Sequence, residues 1–296
     1  MTDSNPSKAL DYPALWGAAE AASEQAQHTF YWFKALELLS LTLGAVFGLL
    51  SDTLQHILWP LLAVLMFASA LGLQLSRSSQ AAERRWYDAR AAAESIKSAS
   101  WQYAVGGEAF RLESPNVDAA YVERLQQILA GLKHLDIGAA TSVAAVITPD
   151  MHQLRQSSQQ WRYRRYAAAR VDDQVRWYTR KAAWNKRKSR SWWAALVCVE
   201  AVALLAGLLR VAGCIDLDLL GVLGACGASL LAWIQAKNYT QLAESYAVTS
   251  HEVSLVAQAV RADVDEARWA QSVHDAEAAF SREHTMWVAR RQGPTK

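Results

Sequence analysis

The sequence predicts an all-α integral membrane protein with two tandem transmembrane helical hairpins, four spans in all, and long cytoplasmic helices. Two apolar stretches, about 35–75 and about 192–236, are each interrupted once by a polar tip, near 51–56 and near 210–216. Each half-stretch matches the roughly 17–25 residues that cross a hydrocarbon core as a helix. No segment alternates apolar and polar residues with β-branched enrichment, so we expect no sheet.

The second half of the first hairpin is the clearest span. Ile57–Leu75 holds 19 residues without a charge, and apolar runs of about 18 or more indicate a membrane-spanning helix. Pro60 stands near its start, where a helix tolerates proline. Because Met1–Ser7 is polar and the first apolar run begins late, we expect no secretory signal peptide.

The two hairpins form an internal repeat. Gly48-Leu49-Leu50 corresponds to Gly207-Leu208-Leu209, and each hairpin is followed by a long polar helix. The predicted segments are 1–14 for a polar N-terminus, 15–135 for the first repeat, 136–150 for a linker, 151–291 for the second repeat and 292–296 for a tail. Helices outside the hairpins are predicted at 78–104, 115–134, 151–190, 237–262 and 263–291.

The charges that flank the hairpins predict their orientation. Both tips are poor in Lys and Arg, whereas basic residues follow the first hairpin and precede the second. Because Lys and Arg mark the cytoplasmic side, we expect a multi-pass protein of the cell inner (plasma) membrane with both termini in the cytoplasm. The juxtamembrane basic residues before the third span are Arg180, Lys181, Lys186, Arg187, Lys188 and Arg190. Tryptophans expected at the membrane interface are Trp32, Trp59, Trp192, Trp193 and Trp233.

The basic stretch Arg162–Arg190 interleaves its cations with Trp and Tyr. This composition is compatible with phosphate contacts and base stacking in a nucleic acid, with a protein partner, or with anionic lipid headgroups beside a span. Its place directly before the third span favours lipid or topology and disfavours nucleic acid.

Glu200 is the strongest candidate for a functional residue within the spans. It lies near the middle of the third span, where a carboxylate costs on the order of 2.5–3.5 kcal/mol on insertion scales. It either faces a pore or cavity that favours cations, or it is protonated and hydrogen-bonded within the bundle. Glu37 is either a vestibule residue or an interfacial one. The candidate pore-lining residues are Glu200, Ser40, Thr42, Gly224 and Glu37.

The hairpin tips and the fourth span leave further alternatives open. The acidic tip residues either form charged rings at a channel mouth or are solvated loop charges. Small residues on the fourth span either allow close helix packing or line and gate a path, and the hydroxyls of Ser40 and Thr42 also serve as ordinary interhelical hydrogen-bonding groups. The candidate mouth charges are Asp52, Asp216 and Asp218.

Nothing in the sequence predicts catalysis, a cofactor or a metal site. P-loop, GxSxG and HExxH motifs are absent, and none of the seven histidines pairs with another at metal-ligand spacing. The three cysteines contain no CxxC pair and are interpreted as small apolar packing residues. We therefore expect a protein that is not an enzyme.

Three segments resemble a known family. Arg90-Ala-Ala-Ala-Glu94-Ser-Ile-Lys97 and Trp101-Gln-Tyr103-Ala-Val-Gly-Gly follow the first hairpin, and Phe280-Ser-Arg-Glu283-His284-Thr-Met-Trp287 lies near the C-terminus. Together with the tandem hairpins, they resemble the SLATT family, the two-transmembrane effector domains found in bacteria beside nucleotide-second-messenger synthases and SLOG sensors. The resemblance covers about residues 15–291. It implies a pore-forming or membrane-disrupting effector, of the kind used in anti-phage defence.

Two functional hypotheses follow. The first is a bacterial membrane effector that forms a homo-oligomeric ion channel or pore in the lipid bilayer. Because no sensor or synthase segment is present in this sequence, we expect a stress signal, a second-messenger nucleotide or a sensor protein to trigger it in trans, or a trigger to act on the helices themselves. The alternative is a non-conducting membrane scaffold that senses or relays a signal through its cytoplasmic helices. A transporter is disfavoured because the hairpins show few broken helices.

Overall fold

Helices make up the whole of the regular structure that is described. The computed structural model describes residues 5–132, 145–259 and 265–292. Side chains are described for these residues except for residue 259 and residues 281–292. It is 84% helical and has no strand in the described residues, which confirms the predicted all-α class. The helices are α1 (Ala14–Leu54), α2 (Leu58–Leu75), α3 (Ser78–Val105), α4 (Val117–Gly131), α5 (Pro149–Arg155), α6 (Gln159–Tyr166), α7 (Asp172–Val211), α8 (Leu220–Lys237), α9 (Tyr239–Ala259) and α10 (Glu266–Gln292), with a 3₁₀ turn at Glu108–Phe110 and a π turn at Ala167–Val171.

Four of these helices are long and apolar enough to cross a membrane, as predicted. The first hairpin turns between α1 and α2, and the second turns between α7 and α8. Gln55 and Gly213 lie in these turns with positive φ angles of 46° and 70°. A residue in the left-handed region commonly ends a helix, so both turns form where the polar tips were expected.

The prediction of one continuous helix over 151–190 is wrong. The chain instead forms α5, α6, the π turn and α7. After α5 ends, Ser158 takes extended backbone and its Oγ accepts the N–H of Trp161 at 3.3 Å. A serine that caps a helix in this way interrupts a preceding helix.

The other predicted helices agree with the structure within a few residues, with one exception. The predicted helix 237–262 is divided at Asn238, whose φ of 53° separates α8 from α9. Residues 133–144 and 260–264 lie outside the described residues, and so do the side chains from 281 onward. Most of the predicted linker 136–150 and the motif residues Glu283, His284 and Trp287 are therefore not covered.

The chain divides into two compact units. The apolar unit comprises Gln27–Glu83 and Ala182–Glu244, and the polar unit comprises Met1–Ala26, Arg84–Lys181 and Ser245–Lys296. The apolar unit contains the membrane-spanning parts of α1, α2, α7 and α8. Each unit is therefore built from segments of both predicted repeats.

An aromatic cluster forms the core of the polar unit. Trp101, Tyr166 and Trp269 are fully buried. The ring centroids of Trp101 and Tyr166 are 5.7 Å apart, and those of Tyr166 and Trp269 are 6.0 Å apart, both in edge-to-face geometry, which is favourable for aromatic pairs. The Trp101 indole donates to the Tyr12 hydroxyl and the Trp269 indole donates to the Val105 carbonyl, each at 2.8 Å. Burial thus leaves neither indole N–H unsatisfied.

Four arginines among the described residues of the polar unit are buried, and three of them contact carboxylates. Arg170 donates from Nε and Nη2 to the two carboxylate oxygens of Glu277 at 2.9 and 2.7 Å. The interpretation of Arg162–Arg190 as a stretch beside lipid is therefore wrong for Arg162, Arg165 and Arg170, which are buried and already paired, whereas Arg164 is exposed. The three pairs are Arg162–Glu266, Arg165–Asp150 and Arg170–Glu277.

The π turn brings Arg170 and Tyr166 to the same carboxylate. Tyr166 donates its hydroxyl to Glu277 at 3.0 Å, and the guanidinium of Arg170 lies 5.1 Å from the ring centroid of Phe280. One extra residue in a helical turn rotates the residues that follow it relative to those before. A regular 3.6-residue pattern therefore does not identify the inward face of this segment.

We expect Glu277→Ala to destabilise the polar unit strongly. It leaves the Arg170 guanidinium buried without its carboxylate, which costs about 3–5 kcal/mol. Thermal unfolding of the detergent-solubilised full chain, followed by tryptophan fluorescence, measures the loss. The control is Glu108→Ala, which removes the partner of the exposed Arg111 at 2.7 Å and should cost less than about 1 kcal/mol. Equal melting temperatures for the two variants would contradict this role of the buried pair.

Candidate functional site

Glu200 lies in the apolar part of α7, with its side chain exposed on the surface of the apolar unit. Among the described residues it makes no hydrogen bond and no ion pair. The internal hydrogen bond that would satisfy a protonated Glu200 within a single chain is thus absent from this part of the structure. Its carboxyl group is left to water, lipid or a neighbouring molecule.

Thr42 has a structural partner. Its hydroxyl donates to the Leu38 carbonyl at 3.0 Å and lies 3.1 Å from the hydroxyl of Ser229. Ser229 also donates to the Leu38 carbonyl at 3.3 Å. These contacts join α1 to α8, and therefore the first hairpin to the second. The geometry favours the interhelical alternative for Thr42.

The remaining candidate lining residues lie in different surroundings. The ammonium of Lys34 donates to Glu37 at 3.0 Å, so the charge of this carboxylate is balanced within one helical turn, which favours the interfacial alternative. Ser40 is half-buried on α1. Gly224 is exposed on α8, where a Cβ atom would meet no atom within 4 Å. The candidates therefore differ in their exposure and in their partners among the described residues.

The predicted mouth residues lie at the turns of the hairpins. Asp52, near the end of α1, and Asp216, in the second turn, are exposed. Asp218 forms an ion pair with Arg210 and accepts the N–H of Leu220 at 3.2 Å. Asp218 therefore stabilises the turn before α8, and the two other aspartates carry the uncompensated charge of the tips.

A lysine held by aromatic rings was not predicted. The Lys237 ammonium lies 3.1 Å from the ring centroid of Tyr31 and 4.8 Å from that of Trp233. Tyr31 and Trp192 both contact Trp233, with centroid distances of 5.9 and 6.4 Å. Cations over aromatic faces are attracted by the ring quadrupole, so this cluster joins the middle parts of α1 and α7 to the C-terminal end of α8. The sequence showed the aromatic residues and the lysine separately, but pairing them needs the helix register.

The other predicted interface tryptophans differ in their packing. Trp32 and Trp193 are exposed, and Trp59 is half-buried with its ring centroid 6.2 Å from that of Phe47. The predicted juxtamembrane cations are all exposed on α7. These cations are Arg180, Lys181, Lys186, Arg187, Lys188 and Arg190.

Of the buried and half-buried cations of the polar unit, two lack a carboxylate contact among the described residues. Arg155 is buried and donates to the carbonyls of Tyr103, Phe110 and Arg111 at 2.7–2.8 Å. Burial lowers the pKa of Arg155. Lys97, half-buried on α3, makes no hydrogen bond or ion pair there. Burial, and then the charge of Arg170, lower the pKa of Lys97.

No group of three or more metal-ligating side chains is arranged to hold a metal ion in the part of the chain that the structure describes. The cysteines Cys198, Cys214 and Cys226 are free thiols.

Two family models match consecutive parts of the chain. The model for SMODS and SLOG-associating 2TM effector domain 3 matches residues 13–165, more than half of the chain, and the model for domain 1 of the same description matches residues 166–287. The chain belongs to the SLATT family. It carries two SLATT domains in tandem, which confirms the resemblance stated from the sequence. No curated protein and no solved structure matches it.

The two SLATT domains do not form separate cores. Trp101 of the first domain packs against Tyr166 of the second, and Trp269 of the second donates to the Val105 carbonyl of the first. Arg162 of the first domain pairs with Glu266 of the second. The tandem SLATT chain thus places residues of both domains in the core of the polar unit.

We expect Lys97→Met to stabilise the SLATT chain at neutral pH. The folded state lowers the pKa of Lys97 below its ordinary value of 10.5, so between these two values the unfolded chain binds more protons. Stability should therefore rise with pH across that window, and the methionine variant should lose this increase. Melting temperatures between pH 7 and pH 10 measure both effects. Exposed Lys181→Met is the control; an identical pH dependence in wild type and Lys97→Met would refute the assignment.

Proposed function

We propose that the chain is a membrane effector that assembles into a homo-oligomeric ion channel or pore in the bacterial inner membrane. Both termini and the polar unit lie in the cytoplasm, as the flanking charges indicate. The proposal assigns the chain no catalytic activity. Its support comes from family membership, the four spans and the surroundings of Glu200.

The observation that carries the proposal is an unpaired carboxyl group in a membrane-spanning segment. Glu200 is exposed on the apolar unit and has no partner among the described residues. A carboxylate directed into acyl chains costs about 2.5–3.5 kcal/mol on insertion scales, and such residues almost always face a cavity, water or a partner. Assembly around an aqueous path meets this requirement, because the same residue of every copy then faces water.

A ring of carboxylates near mid-membrane would favour cations over anions. Asp52 and Asp216, both exposed in the hairpin turns, would add negative charge at the outer mouth. The proposed channel is therefore cation-selective.

The proposed trigger acts on the polar unit in trans. Residues of both SLATT domains meet in its aromatic core, and α7 begins in the polar unit and ends in the apolar unit. A second-messenger nucleotide or a sensor protein that changes this core would act on both domains together. Binding of purified candidate nucleotides to the full chain tests this part of the proposal separately.

Ion flux through liposomes containing the purified full chain tests the channel. We expect cation flux, with a cation-to-anion permeability ratio that falls severalfold in Glu200→Gln because the negative charge is lost while the side-chain shape is kept. The matched control is Glu244→Gln. Glu244 is exposed on α9, seven residues after the end of α8, and this variant should behave as wild type. Absence of conductance, with and without nucleotides, would overturn the proposal.

A non-conducting scaffold is the second candidate. The shared contact of the Thr42 and Ser229 hydroxyls with the Leu38 carbonyl joins the two hairpins and engages a predicted lining hydroxyl, which favours spans that close on themselves. This candidate requires Glu200 to be satisfied by a partner protein instead of by water. Purified full chain that is monomeric in detergent and non-conducting in liposomes would support the scaffold.

A further inference from the structure

A group of exposed cations lies in the middle of α7, directly before the apolar part of this helix. The side chains of Lys186, Arg187 and Arg190 make no hydrogen bond or ion pair among the described residues. Lys188 lies 5.9 Å from the ring centroid of Trp184. The helix continues without a break to Val211, so these charges lead directly into the membrane-spanning part.

Three of the four other cations of the apolar unit have partners within the chain; the fourth, Arg77, is exposed. Lys34 pairs with Glu37, Arg210 pairs with Asp218, and Lys237 lies over the ring of Tyr31. The cations before the third span therefore differ from these in offering their full hydrogen-bonding capacity to an external group.

Two rows of exposed residues begin at the two arginines. Residues seven apart lie about 20° from each other around a helix, so each row follows one face. Every later member of both rows is apolar and exposed, among them Val197 at 58% and Leu204 at 66%. The rows are Arg187, Ala194, Ala201 and Leu208, and Arg190, Val197, Leu204 and Val211.

We propose that this face of α7 is a binding site for an anionic phospholipid. Arg187 and Arg190 bind the headgroup phosphate, because a guanidinium donates two parallel N–H groups to phosphate oxygens. The acyl chains lie along the apolar continuation of the two rows. Exposed Trp193 lies one turn beyond Arg190, at the level where indoles favour the membrane interface.

The exposed apolar rows favour a phospholipid over a nucleic acid or an acidic peptide as the ligand of this face. A nucleic acid or an acidic peptide would engage the arginines and leave Val197 and Leu204 uncovered. A phospholipid carries a phosphate and two hydrocarbon chains in the same order as the charged and apolar parts of the helix. Glu200 lies three residues after Val197 and four residues before Leu204, so it borders the second row on the same side of α7. The lipid site and a water-filled path at Glu200 would therefore occupy adjoining faces of the helix.

Lipid retention by the purified full chain tests the proposal. The protein is equilibrated in detergent with equal amounts of phosphatidylglycerol and phosphatidylcholine of identical acyl chains, and native mass spectrometry counts the bound lipids. We expect wild type to prefer phosphatidylglycerol, and Arg187→Gln/Arg190→Gln to reduce this preference by about fivefold per arginine. Quenching of tryptophan fluorescence by brominated phosphatidylglycerol gives a second readout.

The matched control is Arg180→Gln. Arg180 is exposed and lies seven residues before Arg187 in the same row, about 10 Å farther from the membrane. It should keep the lipid preference. A melting temperature of the double variant in phosphatidylcholine equal to that of wild type shows that the variant is folded.

The arms of the experiment distinguish the sources of phosphate. Competition by excess glycerol phosphate that abolishes the lipid preference would show a site for free phosphate and overturn the lipid assignment. Equal retention of the two lipids by wild type, or an equal loss in Arg180→Gln, would also overturn it. A change of oligomeric state in the double variant with its lipid preference intact would assign the face to a protein partner.

Discussion

A charge that leaves water has to be paired, neutralised or returned to water, and this constraint governs both units of the molecule. In the polar unit, Arg162, Arg165 and Arg170 are buried against carboxylates. Arg155, buried without a carboxylate, is surrounded by three carbonyl oxygens. A buried pair stabilises a fold less than it penalises the loss of one partner. These pairs therefore determine which packing of the helices is permitted more than how stable that packing is.

The same constraint explains why tandem SLATT domains share a core. Arg162 pairs with Glu266 from the other domain, while Trp101 and Tyr166, also from different domains, are in edge-to-face contact. A single domain would expose these groups or bury them unpaired, at a cost of several kcal/mol for each ion. The helices α1 and α7 each contribute residues to both the polar and the apolar unit.

Much of the fold was predictable from the sequence because its strongest signals are local. The four spans follow from apolar length, and the two hairpin turns follow from polar residues between apolar runs. The burial of Arg162 and Arg170 was not predictable, because a basic-aromatic segment looks the same whether it faces lipid or pairs with carboxylates more than 100 residues away. The partner of Arg170, Glu277, lies in α10, and the π turn at Ala167–Val171 removes the helical periodicity that would have indicated an inward face.

The candidate site was predictable only in part, for a related reason. Glu200 could be identified from its depth in an apolar segment, which is a property of the sequence alone. Which polar groups become satisfied within the chain depends on helix register. The helix register brings Thr42 into contact with Ser229 and places the Lys237 ammonium over the ring of Tyr31. Neither contact can be predicted from the sequence alone.

The two hairpins are consequently unequal in the one property that matters for a path through the membrane. The first hairpin has Leu41 where the second has Glu200 in the repeat, and its polar groups Thr42 and Glu37 are satisfied inside the chain. The second hairpin alone carries a mid-span acid without a partner among the described residues, beside the exposed Gly224. Duplication of a hairpin permits this division, since one copy can supply packing while the other keeps an unsatisfied group. If copies of the chain surround a path, the second hairpin is the one whose chemistry requires it to face that path.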